Sequence, residues 1–232
     1  MKLLVLNANT TTAVTDRMVA ALTARCPAEV ELVAATAGFG LPYVGTRAAA
    51  AVAGHAAVEA VRAAVAGERG SGRAPFDACL HACFGEPGIE ALRAENDFPV
   101  AGMAEASILT ALQLGERFSI VTVGEAWPPM LRDLMRRAGL DARCAGFGVV
   151  SGDALSLSAS HQDGLWAVER VVGETIAAQD PDVVIIGGAA LAGYAASIAP
   201  SAPVPVLDSL VAGFEQALAL ARLPRPSRRV GG

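Results

Sequence analysis

Short runs of apolar and β-branched residues alternate along this chain with longer Ala- and Leu-rich stretches whose apolar positions recur at helical period. Parallel strands buried on both faces and joined by crossover helices leave this pattern. It predicts strands at Leu3–Leu6, Glu29–Ala34, Ala78–Ala82, Pro99–Met103, Ser119–Thr122, Ala145–Val150, Val183–Ile186 and Val204–Val206. Helices are expected near residues 12–25, 46–67, 104–114, 127–138, 161–178 and 208–221. A polar, Gly-rich loop follows over residues 68–75, and residues 224–232 read as a tail with little to bury.

The strand ends carry a second pattern. The first half offers LVLNANTT and then CLHACFGEPG; the second offers SIVTVGE and then VVIIGGAALAG. In each half one strand runs into polar Asn or Thr, and a later one runs into a small-residue loop that opens a helix. Two tandem α/β lobes are expected, 1–98 with 208–232 forming one and 99–207 the other. Open α/β sheets bind ligands beyond the carboxyl ends of their strands. Asn7, Asn9, Cys83, Thr122 and Gly188 would then share one functional edge.

Composition narrows the picture. Of 232 residues, 53% are hydrophobic and 18% charged, enough apolar material for a sizeable core. A net charge of −5 supplies no basic stripe for phosphates, so nucleic acid is not expected as a partner. The first apolar run stops at Asn7, too short for a signal core, and no unbroken apolar run reaches about 18 residues, so no membrane span is expected. Cys26, Cys79, Cys83 and Cys144 form no CxxC pair, which fits free thiols in a cytoplasmic setting. His55, His81 and His161 do not combine with them at metal-site spacing.

Cys83 is the leading chemical candidate. A thiol just past a buried strand, ahead of Phe-Gly and a Glu-Pro-Gly helix start, sits among backbone N–H groups that are expected to lower its pKa and to hold a carboxylate or enolate oxygen. Such a thiolate serves as nucleophile or general base. Cys79 and His81 alternate with it deeper in the strand and read as core. Asn7, Asn9 and Thr10–Thr12 exceed what one helix cap needs, leaving capping alone or capping with substrate contact open. Glu105 is either a helix-start acid or a cleft residue, and Arg47 either a carboxylate clamp or a solvated helix-start cation. GGAALAG lacks both GxGxxG spacing and a P-loop lysine, so no nucleotide is expected there.

LNANTT, DACLHACFGEPGIEALR, PVAGMAEAS, RFSIVTVGE and VVIIGGAALAG with PVPVLDSLVAG, from residue 3 to about 222, together resemble the aspartate/glutamate/hydantoin racemase superfamily, nearest its hydantoin and allantoin racemase branch. The resemblance implies two flavodoxin-like lobes related by a pseudo-twofold, with the site between them. It also implies no cofactor or metal, a small carboxylate or hydantoin-like substrate, and homo-oligomers. One cysteine per lobe flanks the substrate carbon in that family. The first falls on Cys83, with Phe84 and Gly85 supplying amides; Asn9, Glu105, Thr122 and Val123 match substrate-binding positions. The second falls on Gly188, beside Ala189, where this chain has no side chain to move a proton.

Three readings follow, in order of preference. The first is a racemase or epimerase acting on an acidic carbon next to a carbonyl, with water, a substrate group or a nearby hydroxyl as the second acid. The second is a one-thiol enzyme, either a decarboxylase similar to arylmalonate decarboxylase or a cis–trans isomerase. The third is a non-catalytic small-molecule binder.

Overall fold

A computed structural model describes residues 1–68, 75–151 and 161–224, so most of the expected loop over 68–75 and nearly all of the tail lie outside the described residues. The chain builds two four-stranded, all-parallel sheets. The first holds β1 (Lys2–Asn7), β2 (Glu31–Thr36), β3 (Ala78–His81) and β4 (Val100–Gly102) in the order β2-β1-β3-β4. The second repeats that order as β6-β5-β7-β8, with β5 at Phe118–Val123, β6 at Cys144–Val150, β7 at Val183–Ile186 and β8 at Val206–Asp208. Helices α1 (Thr12–Thr23), α2 (Arg47–Glu68), α3 (Ile89–Glu95) and α4 (Met103–Leu114) belong to the first half of the chain. The second half adds α5 (Trp127–Ala138), α6 (His161–Gln179), α7 (Tyr194–Ile198) and α8 (Ser209–Ala221).

The central strands are apolar because helices cover both faces. Leu3, Leu4, Val5 and Leu6 of β1 and Val183, Val184 and Ile185 of β7 are fully buried. Helix α2 is long and apolar enough by length and composition to cross a membrane. Here it is an amphipathic sheet-covering helix, with Ala49, Ala53, Ala57 and Val61 buried in the same cluster as β1 and β3.

The eight expected strands all form, with shifted ends. β2 begins at Glu31 because the Val30 amide closes a turn onto Pro27 O at 2.9 Å. β8 begins at Val206 because Pro205 has no N–H to give to the ladder; its carbonyl accepts from Val184 instead. Helices α3 and α7, at seven and five residues, follow the two small-residue loops that were expected to open helices, and their extents were not anticipated because they are too short to show a period. The expected lobe boundary at residue 98 is corrected. Val100 pairs with Cys79 and Gly102 with His81, so β4 belongs to the first sheet.

The crossover between halves is reciprocal. Helix α4 leaves the first sheet and packs on β7, while α8 leaves the second sheet and packs on β3 and β4. The two helices also pack on each other, and Gly213 permits it: a Cβ there would lie 2.7 Å from Leu80 Cδ1 and 3.2 Å from Met103 Cα. Both sheets thereby turn their carboxyl edges toward a common gap. Across that gap the buried Phe84 ring lies so close to Gly187 that a Cβ there would overlap the ring edge.

Gly187→Ala should therefore lower stability by about 1–3 kcal/mol, the usual cost of overpacking. Denaturant unfolding checks it, and Phe84→Leu in the same chain should recover part of the loss.

Candidate active site

A partly open cleft of about 60 Å³ lies at the carboxyl edges of both sheets. The first lobe contributes Asn9, Cys83 and Phe84; the second contributes Thr122, Val123, Gly188 and Ala189. Of the expected site residues Asn7, Arg47, Gly85 and Glu105 are outside this lining, and their placements differ in kind. Gly85 supplies its amide to the Cys83 sulfur from the turn below.

Cys83 is half-buried, two residues beyond β3. The amides of Gly85 and Glu86 donate toward its sulfur, which favours the thiolate. Burial nevertheless dominates and pushes the thiol up to about 11, helped by the neighbouring Glu86 carboxylate. The expectation of a lowered pKa is thus overturned. Two amides do not outweigh the desolvation of the sulfur by the residues packed around it. The resulting thiolate is scarce at neutral pH, yet it is a stronger base than an ordinary one.

Glu86 fixes the turn that carries the sulfur. Its backbone sits at φ 49, a conformation that costs a non-glycine residue about 1–3 kcal/mol and persists only where the surroundings enforce it. The Glu86 amide donates to Cys83 O at 2.9 Å, and the Ile89 amide to Glu86 O at 3.2 Å. Its buried carboxylate caps α4, accepting from the amide of Glu105 at 2.8 Å and from that of Ala104. A Cβ on Gly102 would overlap that carboxylate, so glycine is required there. Desolvation raises the Glu86 carboxyl to about 7, against the two amides that favour its charged form.

Glu105 is thereby explained without a substrate. Its carboxylate pairs with Arg93 and borders hollows on the far side of Gly102, so it does not face the Cys83 cleft. His81 is core, as its place in the strand suggests. Nε2 lies 2.9 Å from Pro87 O, Nδ1 has no partner, and burial lowers the ring to about 4, keeping it neutral. Cys79 is fully buried beside it and raised further still by desolvation.

Asn7 is likewise structural. Its amide nitrogen donates to Asn9 Oδ1 at 3.0 Å and to Thr15 Oγ1 at 2.9 Å. Asn9 Oδ1 also accepts from the Thr11 amide, so this carboxamide both shapes the loop and reaches the cleft. Thr11 does not cap α1; its hydroxyl donates to Pro42 O at 2.9 Å. Arg47 pairs with Asp133 at 2.6 Å, tying α2 to α5 across the lobes and leaving no clamp for a carboxylate.

Sequence reasoning missed Arg17, Tyr43 and Trp127, all of which line the cleft. Trp127 Nε1 donates to the Tyr43 hydroxyl at 2.9 Å, and its benzo edge covers Gly85, where a Cβ would lie 2.6 Å from Cζ3. The chain holds only two Trp and two Tyr, and that scarcity was the one available signal. Among the described residues no group of three or more His, Cys, Asp or Glu is placed to hold a metal ion.

The Asp/Glu/Hydantoin racemase family model matches residues 3–217. A hydantoin racemase from Pseudomonas sp. (strain NS671) is 30% identical over 154 residues, 66% of this chain and 62% of that protein. The aligned stretch thus spans under two thirds of the relative's own length. The crystal structure of allantoin racemase from Pseudomonas fluorescens superposes with a TM-score of 0.86 at 28% identity, covering 100% of both chains. Unliganded arylmalonate decarboxylase gives 0.66 at 16% identity over 99% of this chain and 96% of its own, a likeness of fold alone.

Two outcomes follow from these electrostatics. Glu86→Gln keeps an acceptor for α4 but removes the charge, so the Cys83 pKa should fall. Iodoacetamide labelling at fixed pH below 9 should then accelerate about threefold for each half unit of that fall. The second concerns stability. His81 is depressed from 6.5 to about 4, so its contribution is present above pH 6.5 and lost as pH falls toward 4. Glu86 is raised from 4.5 to about 7, so its contribution is present below pH 4.5 and lost as pH rises to 7. The two oppose each other, and Glu86→Gln should expose the His81 effect as a steeper loss of urea midpoint between pH 6.5 and 4.

Proposed function

As this chain belongs to the Asp/Glu/hydantoin racemase family, we propose that it is a cofactor-independent racemase or epimerase of a small hydantoin-like molecule, with Cys83 as acid and base. One observation carries the reading. The Cys83 sulfur, with two amides aimed at it, shares a water-poor cleft with the carboxyl edge of the opposite lobe. A strong base beside fixed N–H donors suits removal of a proton next to a carbonyl, where charge moves onto oxygen. Allantoin and 5-substituted hydantoins are the first substrates to test, given what the two racemase relatives are named for. Asn9, Thr122 and the Phe84 amide supply polar contacts, and the exposed Arg17 gives the rim a cation for a carbonyl or carboxylate group.

A one-thiol decarboxylase is the second reading, and Gly188 favours it. Its backbone sits at φ 123 and ψ 142, a region close to glycine-only. No atom lies within 4 Å of a Cβ built there, so the space is open while the backbone resists a cysteine. Cys83 is the only cysteine among the lining residues. Protonation by that thiol alone would deliver a single stereoisomer after loss of carbon dioxide.

Proton NMR in D₂O separates these readings. With single enantiomers of allantoin, 5-substituted hydantoins or amino acids, the racemase should exchange the carbon-bound proton and invert the centre. With arylmalonates, only a decarboxylase would release carbon dioxide. Cys83→Ala should cut inversion at least about 100-fold, as loss of a general acid–base group does. A protein that leaves every one of these substrates unchanged would refute both enzymatic readings in favour of a binder.

A further inference from the structure

We propose that Tyr43 is the second acid–base group of the cleft, acting on the face of the substrate carbon opposite Cys83 and so filling the role left vacant at Gly188. This rests on the racemase reading above.

The position of the phenol carries the argument. Tyr43 belongs to the first lobe, where its loop is held over the cleft by the Thr10 amide on Leu41 O at 3.1 Å and the Thr11 hydroxyl on Pro42 O at 2.9 Å. Its hydroxyl, however, reaches the second lobe and lies 3.4 Å from Val123 O at the end of β5. β5 is the ladder neighbour of β7, and the Gly187 amide donates to Val121 O at 2.8 Å. The phenolic oxygen, on a residue that lines the cleft, therefore rests against the end of β5, the strand next to the one that leads into Gly188. Trp127 spans the interval, with one edge of its indole on Gly85 and its N–H on the phenolic oxygen. Trp127 thus touches both the thiol loop and the phenol.

Chemistry removes the alternatives. Besides Cys83, the cleft offers the side-chain polar groups of Asn9, Arg17, Tyr43, Thr122 and Trp127. A carboxamide and an indole do not exchange a proton in this range, an alkyl hydroxyl is far too weak an acid, and guanidinium stays charged. Only a phenol, ordinarily near pKa 10, lies within reach of a thiol raised to about 11. A racemase needs that match, because its two enantiomers are equal in energy and each base must serve one of them. The long contact with Val123 O is readily given up to a substrate.

The step balances. Cys83 thiolate takes the proton from carbon, and the C–H electron pair passes into the carbonyl to form an enolate. The enolate carbon then takes the Tyr43 proton on its other face, the carbonyl re-forms, and the enzyme is left as thiol and phenolate. Attack on the opposite enantiomer, or exchange with water, restores the starting form.

The test follows exchange and inversion separately in D₂O, using each enantiomer of a substrate that the unmodified protein racemises. Tyr43→Phe should keep deuterium exchange on the enantiomer whose hydrogen faces Cys83 while inversion falls at least about 100-fold. Cys83→Ala should show the mirror result, with exchange on the other enantiomer only, and this arm holds even if Tyr43→Phe does not fold. Inversion surviving Tyr43→Phe within about threefold of the unmodified rate, or loss of exchange on both enantiomers in Cys83→Ala, overturns the assignment alone. Failure of the unmodified protein to exchange or invert any candidate overturns the racemase reading and this assignment with it.

Discussion

Two aromatic rings resting on glycine backbone across the gap between the sheets set the geometry of this protein. Phe84 of the first lobe lies on Gly187 of the second, and Trp127 of the second lies on Gly85 of the first. Neither approach tolerates a Cβ. The contacts are reciprocal, so each loop at a strand end is held by a side chain from the opposite lobe. Rings of this size bury a large apolar area, and edge contact with bare backbone brings the lobes closer than any side-chain pair would. The cleft is what remains between those two contacts.

Burial has a cost that shows in the ionisable groups of the cleft and of the packed turn and strand behind it. Burial pushes Cys83 to about 11 and Glu86 to about 7, and it holds His81 near 4. The amides of Gly85 and Glu86 at the sulfur, and those of Ala104 and Glu105 at the Glu86 carboxylate, offset part of that penalty. In the proposed reaction, a base that is rare but strong suits abstraction of a weakly acidic proton better than an abundant, weak one. Glu86 links this chemistry to the fold. One carboxylate caps α4 while its own backbone, in a strained conformation, carries an amide to the sulfur.

Helix exchange between the halves supports the same arrangement. Because α4 and α8 each leave one sheet and pack against the other, neither lobe completes its covering layer alone. A segment boundary drawn from strand ends misses this. β4 pairs in the first sheet although the helix that follows it serves the second. Motion of one lobe against the other would have to carry both crossing helices.

Local chemistry determined much in advance. Period and burial made eight strands legible, because residues buried on both faces must be apolar wherever the chain goes. Cys83, Phe84, Asn9, Thr122, Val123 and Gly188 could be placed at strand ends because parallel strands all deliver their carboxyl termini to one edge. The proton affinity of Cys83 could not be read, since desolvation depends on what folds over a residue and not on its neighbours in the chain. Nor could the separate fates of Glu105, turned away by Arg93, and of Tyr43 and Trp127, which meet from positions 84 residues apart. The chain's residues decide which groups it can offer; only tertiary packing decides which of them come to share one cleft and how deeply each is buried.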